Sequence, residues 1–116
     1  MRRSAAALQS AAMQGLTMDF PLTLHAIFRR VERVLPQTEI VTRRPDASLH
    51  RYTACDFADR TRRLAGALER LGIEPGDRVA TLAWNHYQHL EAYFAIPLAG
   101  GVLHTLNLRL HPDELA

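Results

Sequence analysis

The chain has no lysine: all 14 of its basic side chains are arginine. That excludes any lysine-based chemistry within these residues, whether as a Schiff-base amine or as a point charge on a phosphate. Cysteine is almost as scarce. Cys55 stands alone, so no internal disulfide can form, and no Cys/His spacing around it suits zinc. A single thiol fits a reducing compartment, and a cytoplasmic location is expected. Cys55 itself reads as a small apolar residue near a helix start rather than a nucleophile. No segment approaches the roughly 20 apolar residues of a membrane-spanning helix. The apolar run Ala5-Ala6-Ala7-Leu8 is too short for the core of a signal peptide.

What remains is ordinary globular material. The 116 residues are 47% hydrophobic and 22% charged, with a net charge of +2, enough for one small domain or part of a larger one. The arginines are interspersed with Asp and Glu rather than gathered on one face, which excludes nucleic acid as the expected partner. Residues 1–17 read as a disordered extension, with Met13 and Met18 as alternative starts.

Periodicity organises the rest. Leu24, Ile27, Phe28, Val31, Val34 and Leu35 recur at helical spacing, with Thr23 as N-cap and Pro36 as stop. Its Arg cluster reads as a solvated face. Thr38 to Thr42 and Leu49 to Tyr52 read as a β-hairpin around Arg44-Pro45-Asp46-Ala47-Ser48, where Gly would suit a left-handed position better than Ala47. Thr53 with Asp56 forms a capping box opening a second helix, whose expected buried stripe is Phe57, Thr61, Leu64, Leu68 and Leu71. Asp56–Arg60 and Asp59–Arg63 stand at ion-pair spacing. Gly72 is placed to end that helix, and Glu74-Pro75-Gly76-Asp77 to turn the chain. Arg78 to Trp84 then runs without alternation, as a strand buried on both faces does. A third helix is expected from an Asn85 cap to Ala99, with Leu90, Tyr93, Phe94, Pro97 and Leu98 as its apolar face. Gly100-Gly101 breaks the chain before a strand over Val102 to Leu106, completing a parallel βαβ unit. His111-Pro112-Asp113-Glu114 announces one more helix, which needs several further turns to be stable. The expected fold class is α/β: an incomplete subdomain with a β-hairpin, a parallel βαβ unit and flanking helices.

The run from Leu71 to Ala80 (LGIEPGDRVA) resembles the early part of the adenylate-forming superfamily. It is followed in order by Asn85, by Leu90 to Pro97 (LEAYFAIP), by Gly100-Gly101-Val102, by Asn107 to Leu110 and by Pro112 to Ala116. This series is similar to the AMP-forming acyl-CoA synthetases, the fatty-acid–CoA ligases, and the likeness covers roughly residues 13–116. Two departures are Ala47, where relatives usually carry Gly, and Ala54-Cys55, where they often carry Tyr and a small residue. The resemblance implies that residues 18–116 are a partial N-terminal AMP-binding domain of a homodimeric ligase of several hundred residues. Such a ligase joins a fatty acid to coenzyme A and cleaves ATP, with Mg²⁺, to AMP and pyrophosphate. Its phosphate loop, metal-binding Glu, ribose-binding Asp and catalytic Lys match nothing in these residues. No catalytic, cofactor-binding or metal residue is therefore assigned, and this piece is expected to bind none of the three and to self-associate through uncovered faces. The second reading is a free-standing, non-catalytic protein-interaction module derived from the same subdomain.

Several side chains invite sharper readings. His86 and His89, with Glu91 close by, suggest a metal site, but Glu91 falls about 200° around the helix from His89, and packing or surface histidines are expected. His104 is expected as a hydrogen-bonded core residue, Trp84, Tyr93 and Phe94 as core aromatics, and Asn107 and Arg109 as structural groups after a strand end.

Overall fold

The computed structural model describes residues 18–115; the expected extension over 1–17 lies outside the described residues. The chain runs α1 (Leu24–Val34), β1 (Glu39–Arg43), β2 (Leu49–Thr53), α2 (Ala54–Arg70), β3 (Arg78–Thr81), α3 (Tyr87–Leu98), β4 (Val102–Thr105) and α4 (Pro112–Leu115). The architecture is the expected α/β one: β1 and β2 pair antiparallel, and β3 and β4 pair parallel across the α3 crossover.

Local chemistry sets the boundaries. The Thr23 hydroxyl accepts from the Ala26 amide and starts α1. The hairpin turn holds Ala47 at φ 66°, the left-handed position at which glycine bears no Cβ penalty. The Asp46 carboxylate accepts from both the amide and the hydroxyl of Ser48, which holds its pKa below the usual Asp value. At α2 the capping box is complete. The Thr53 hydroxyl takes the Asp56 amide, while the Asp56 carboxylate takes the Thr53 amide and hydroxyl, lowering its own pKa. At the far end, the Ile73 amide donates to the Leu68 carbonyl and the Gly72 amide to the Glu69 carbonyl, with Gly72 at φ 91°. That pair of bonds is a Schellman closure.

The core sits where the hairpin, α1, α2 and α3 meet. Phe57 packs edge-on against Phe28 and Phe94 at centroid distances of 5.9 and 5.4 Å, with Tyr52 and Ala58 completing the cluster. A second cluster of small residues, Ala65, Ala95 and Ala99, lets α2 and α3 approach closely. The dihedral freedom of Gly100, at φ 84°, is used against Pro75, whose Cα would lie 3.3 Å from an added Cβ. The Gly76 amide closes the same corner by donating to the Gly100 carbonyl.

Several expectations are corrected. Leu71 is not part of the α2 stripe: as the C-cap residue it points away and is 80% exposed. Arg60 does not pair with Asp56, whose carboxylate is committed to the cap; Arg63 does meet Asp59, at 4.0 Å between exposed groups. The cap of α3 is His86 rather than Asn85: its Nδ1 accepts from the His89 amide. The strand expected to reach Trp84 ends at Thr81, and alternate residues of it are exposed. One neighbouring strand and one covering helix hide only half of a strand's side chains, so Arg78–Thr81 is not buried on both faces. His104, on β4, is exposed for the same reason. On α1 only Phe28 is buried, and the apolar residues Leu24, Ile27, Val34 and Leu35 face outward.

Candidate functional site

Two places concentrate chemistry-bearing side chains. The first is the carboxyl edge of the β3–β4 pair, where ligands of parallel sheets tend to bind. Trp84 follows β3 there, in an irregular segment that no described element covers, and it is 67% exposed rather than in the core. After β4, Asn107 makes a local turn: its Oδ1 accepts from the Arg109 amide at 3.0 Å, and its carbonyl accepts from the Leu110 amide. That occupies the Asn107 side chain structurally, as expected, and leaves the Arg109 side chain exposed.

The second is an open groove of about 250 Å³ between β1 and the start of α3, lined by Ile40, Thr42, His86, His89, Leu90 and Tyr93 among others. Its histidines are already engaged. His86 caps α3 through Nδ1, and His89 is buried with Nε2 3.0 Å from the Thr81 hydroxyl, which ties α3 to the end of β3. His89 Nδ1 is buried without a partner. Tyr93 stands beside His89 at a centroid distance of 4.9 Å and is partly exposed, so of the two expected core aromatics on α3 only Phe94 packs into the core cluster.

Glu91 takes no part in this groove. It is 4% exposed and turned to α2, where its carboxylate accepts two hydrogen bonds from Arg60, at 2.6 Å from Nε and 3.2 Å from the terminal nitrogen. The Arg60 guanidinium also lies 5.5 Å from the centre of the Tyr87 ring, and the bond to Glu91 raises its pKa further. Burial, then the neighbouring Glu91 charge, pushes the Tyr52 phenol well above its ordinary range. Tyr87 in turn stacks on His50 at 3.9 Å. This aromatic and charged cluster joins the hairpin, α2 and α3. The sequence placed Glu91 on α3 but gave no sign of its partner, which lies 31 residues earlier.

Among the described residues no group of three or more His, Cys, Asp or Glu could hold a metal. The positive-φ glycines Gly72, Gly76 and Gly100 serve a helix end and two turns, and their amides, with that of Gly101, donate to the carbonyls of Glu69, Gly100, Pro97 and Ile96, so they are not arranged as an anion cradle. Cys55 is exposed on the first turn of α2, rather than packed as a small apolar group.

Comparison with known proteins supplies what the site does not. The model of the family described as AMP-binding enzyme matches residues 28–116. The long-chain-fatty-acid–CoA ligase of Thermus thermophilus is 46% identical over 105 residues, which cover 90% of this chain and 19% of that protein. A 3-methylmercaptopropionyl-CoA ligase of Ruegeria lacuscaerulensis is 42% identical over 103 residues, covering 89% of this chain and 19% of that one. Among solved structures, a Mycobacterium tuberculosis fatty acyl CoA synthetase superposes with a TM-score of 0.69 at 27% identity, over 79% of this chain and 18% of the other. The chain thus spans about a fifth of the length of the curated relatives it matches. With the match running from Phe28 in α1 through every later element, this chain belongs to the AMP-binding enzyme family and forms an α/β piece of the adenylate-forming fold.

Proposed function

We propose that residues 18–116 are scaffold from the N-terminal domain of a fatty-acid–CoA ligase and that they catalyse nothing by themselves. The observation that carries this reading is the 46% identity to a long-chain-fatty-acid–CoA ligase over 90% of this chain and only 19% of that relative. In the parent reaction a carboxylate attacks the α-phosphate of ATP, giving an acyl-adenylate and pyrophosphate. The thiol of coenzyme A then attacks the acyl carbon, giving the thioester and AMP. ATP, Mg²⁺ and coenzyme A belong to that whole enzyme, which on this reading is cytoplasmic and homodimeric. The inactivity of this piece is supported by the absence of lysine and by glycines committed to turns.

The test is to incubate the purified chain with ATP, Mg²⁺, coenzyme A and fatty acids of graded length, and to follow AMP and pyrophosphate. No acid-dependent product is expected. Acid-dependent turnover that survives removal of contaminating synthetase would defeat the reading.

A further inference from the structure

We infer that the outer edge of β1 pairs antiparallel with β1 of a second copy of this chain, joining two hairpins into one four-stranded sheet. The inference concerns the 116-residue chain as it stands and does not rest on the ligase reading. It starts from hydrogen-bond parity. The Ala54 amide donates to the Thr38 carbonyl, and the Arg44 amide to the Ser48 carbonyl. In an antiparallel ladder bonded and unbonded pairs alternate. With Ile40 opposite Tyr52 and Thr42 opposite His50, the bonds to β2 fall at Thr38, Ile40, Thr42 and Arg44. The amides and carbonyls of Glu39, Val41 and Arg43 therefore point away from β2, and among the described residues they have no other backbone partner. A two-stranded hairpin with such an edge is a template for a further strand.

The side chains select which strand that is. When β1 meets its own copy about Val41, the two valines face each other, and Glu39 of each copy faces Arg43 of the other. These are the same positions whose backbone groups are open, so hydrogen bonding and charge agree. A shift of two residues either way sets Val41 against Arg43 or Glu39 and loses both opposite-charge contacts. The far edge of the hairpin has no such match. Its outward residues are Leu49, Arg51 and Thr53. Pairing about Arg51 sets two arginines face to face, and the Thr53 amide is already taken by Asp56. On the inner face, Ile40 of the second copy comes opposite Thr42, beside the groove whose lining includes Leu90 and Tyr93. The same strand serves on both sides, so the pairing closes at two copies. The rival contact is the exposed apolar group Leu82, Trp84 and Val102 at the β3–β4 pair.

The experiment is sedimentation velocity of the 116-residue chain over a series of concentrations, with amide hydrogen exchange read at each. A dimer that grows with concentration is expected, and exchange at Glu39, Val41 and Arg43 slows as it forms. Arg43→Glu and, separately, Glu39→Arg set like charges opposite each other at both ends of the pairing. Each is expected to weaken the dimer at least about 10-fold. Mixing the two variants sets opposite charges together again and is expected to recover the dimer. Leu82→Ser with Trp84→Ser is expected to leave it unchanged. All four positions are exposed, and circular dichroism checks that each variant folds. A monomer at every concentration overturns the inference, as does a dimer that forms while the three amides exchange at an unchanged rate. So does a dimer lost in the Leu82/Trp84 variant, or one that neither charge variant weakens, or one that their mixture fails to recover.

Discussion

Replacing Arg60 with methionine is expected to destabilise the fold by about 2–3 kcal/mol, whereas Glu91→Leu costs about 1 kcal/mol or less. The asymmetry follows from where the two charges sit. The Glu91 side chain is 6% exposed and that of Arg60 is 48%. Removing Arg60 leaves a nearly buried carboxylate with the Tyr52 phenol as its remaining polar neighbour. Removing Glu91 leaves a guanidinium that already reaches solvent and still lies over Tyr87. Breaking a fully buried pair costs about 3–5 kcal/mol, and the exposure of Arg60 lowers the figure here. Denaturant titration of both variants measures the difference. A double replacement, Arg60→Met with Glu91→Leu, is expected to recover most of the loss. Equal losses in the two single variants would mean that the pair adds nothing beyond packing.

Phe57→Ala is expected to have the largest effect of any single substitution. Phe57 is 2% exposed and touches the rings of both Phe28 and Phe94, so it joins three helices at one point. Truncating a buried phenylalanine costs about 3–5 kcal/mol, which takes up most of the stability of a small domain. At roughly 4–8 °C per kcal/mol, the melting temperature is expected to fall by more than about 12 °C, or the chain fails to fold. Trp84→Ala is the control: a larger aromatic, but 67% exposed, and expected to shift stability by no more than about 0.5 kcal/mol. Thermal unfolding followed by circular dichroism reads both. Comparable losses at the two positions would contradict the placement of the core.

Features written in neighbouring residues were legible before the structure. Thr53 and Asp56 are three apart and close on each other. Leu68, Gly72 and Ile73 lie within one helix end, and Ala47 sits in its own turn. The order of strands and helices also emerged, because apolar periodicity is local. What failed was whatever depends on elements brought together from afar. Arg60 has Asp56 four residues away, yet its partner is Glu91, since Asp56 is taken by the cap. Glu91 read only as a doubtful metal ligand, because nothing near it in the chain marks it as buried. Trp84, Leu71 and His104 read as core by residue type or by neighbourhood, and are exposed because no described element covers them. His86 displaced Asn85 as cap because its ring nitrogen reaches the His89 amide, a role for which histidine is not a favoured residue. As to the site, His86, His89 and Tyr93 of the β1–α3 groove were singled out, but not Thr81, which lies outside the groove lining and engages the His89 ring from β3. No motif marks a threonine at a strand end as the partner of a histidine eight residues on.

The size of the native gene product tests the central claim most directly. An antibody raised against residues 18–115 and applied to the source cells, with the captured protein weighed by mass spectrometry, is predicted to find one polypeptide of several hundred residues in which this chain is the N-terminal part. A stable native product of 13.1 kDa, matching these 116 residues and nothing more, would contradict the ligase scaffold and leave the free-standing interaction module in its place.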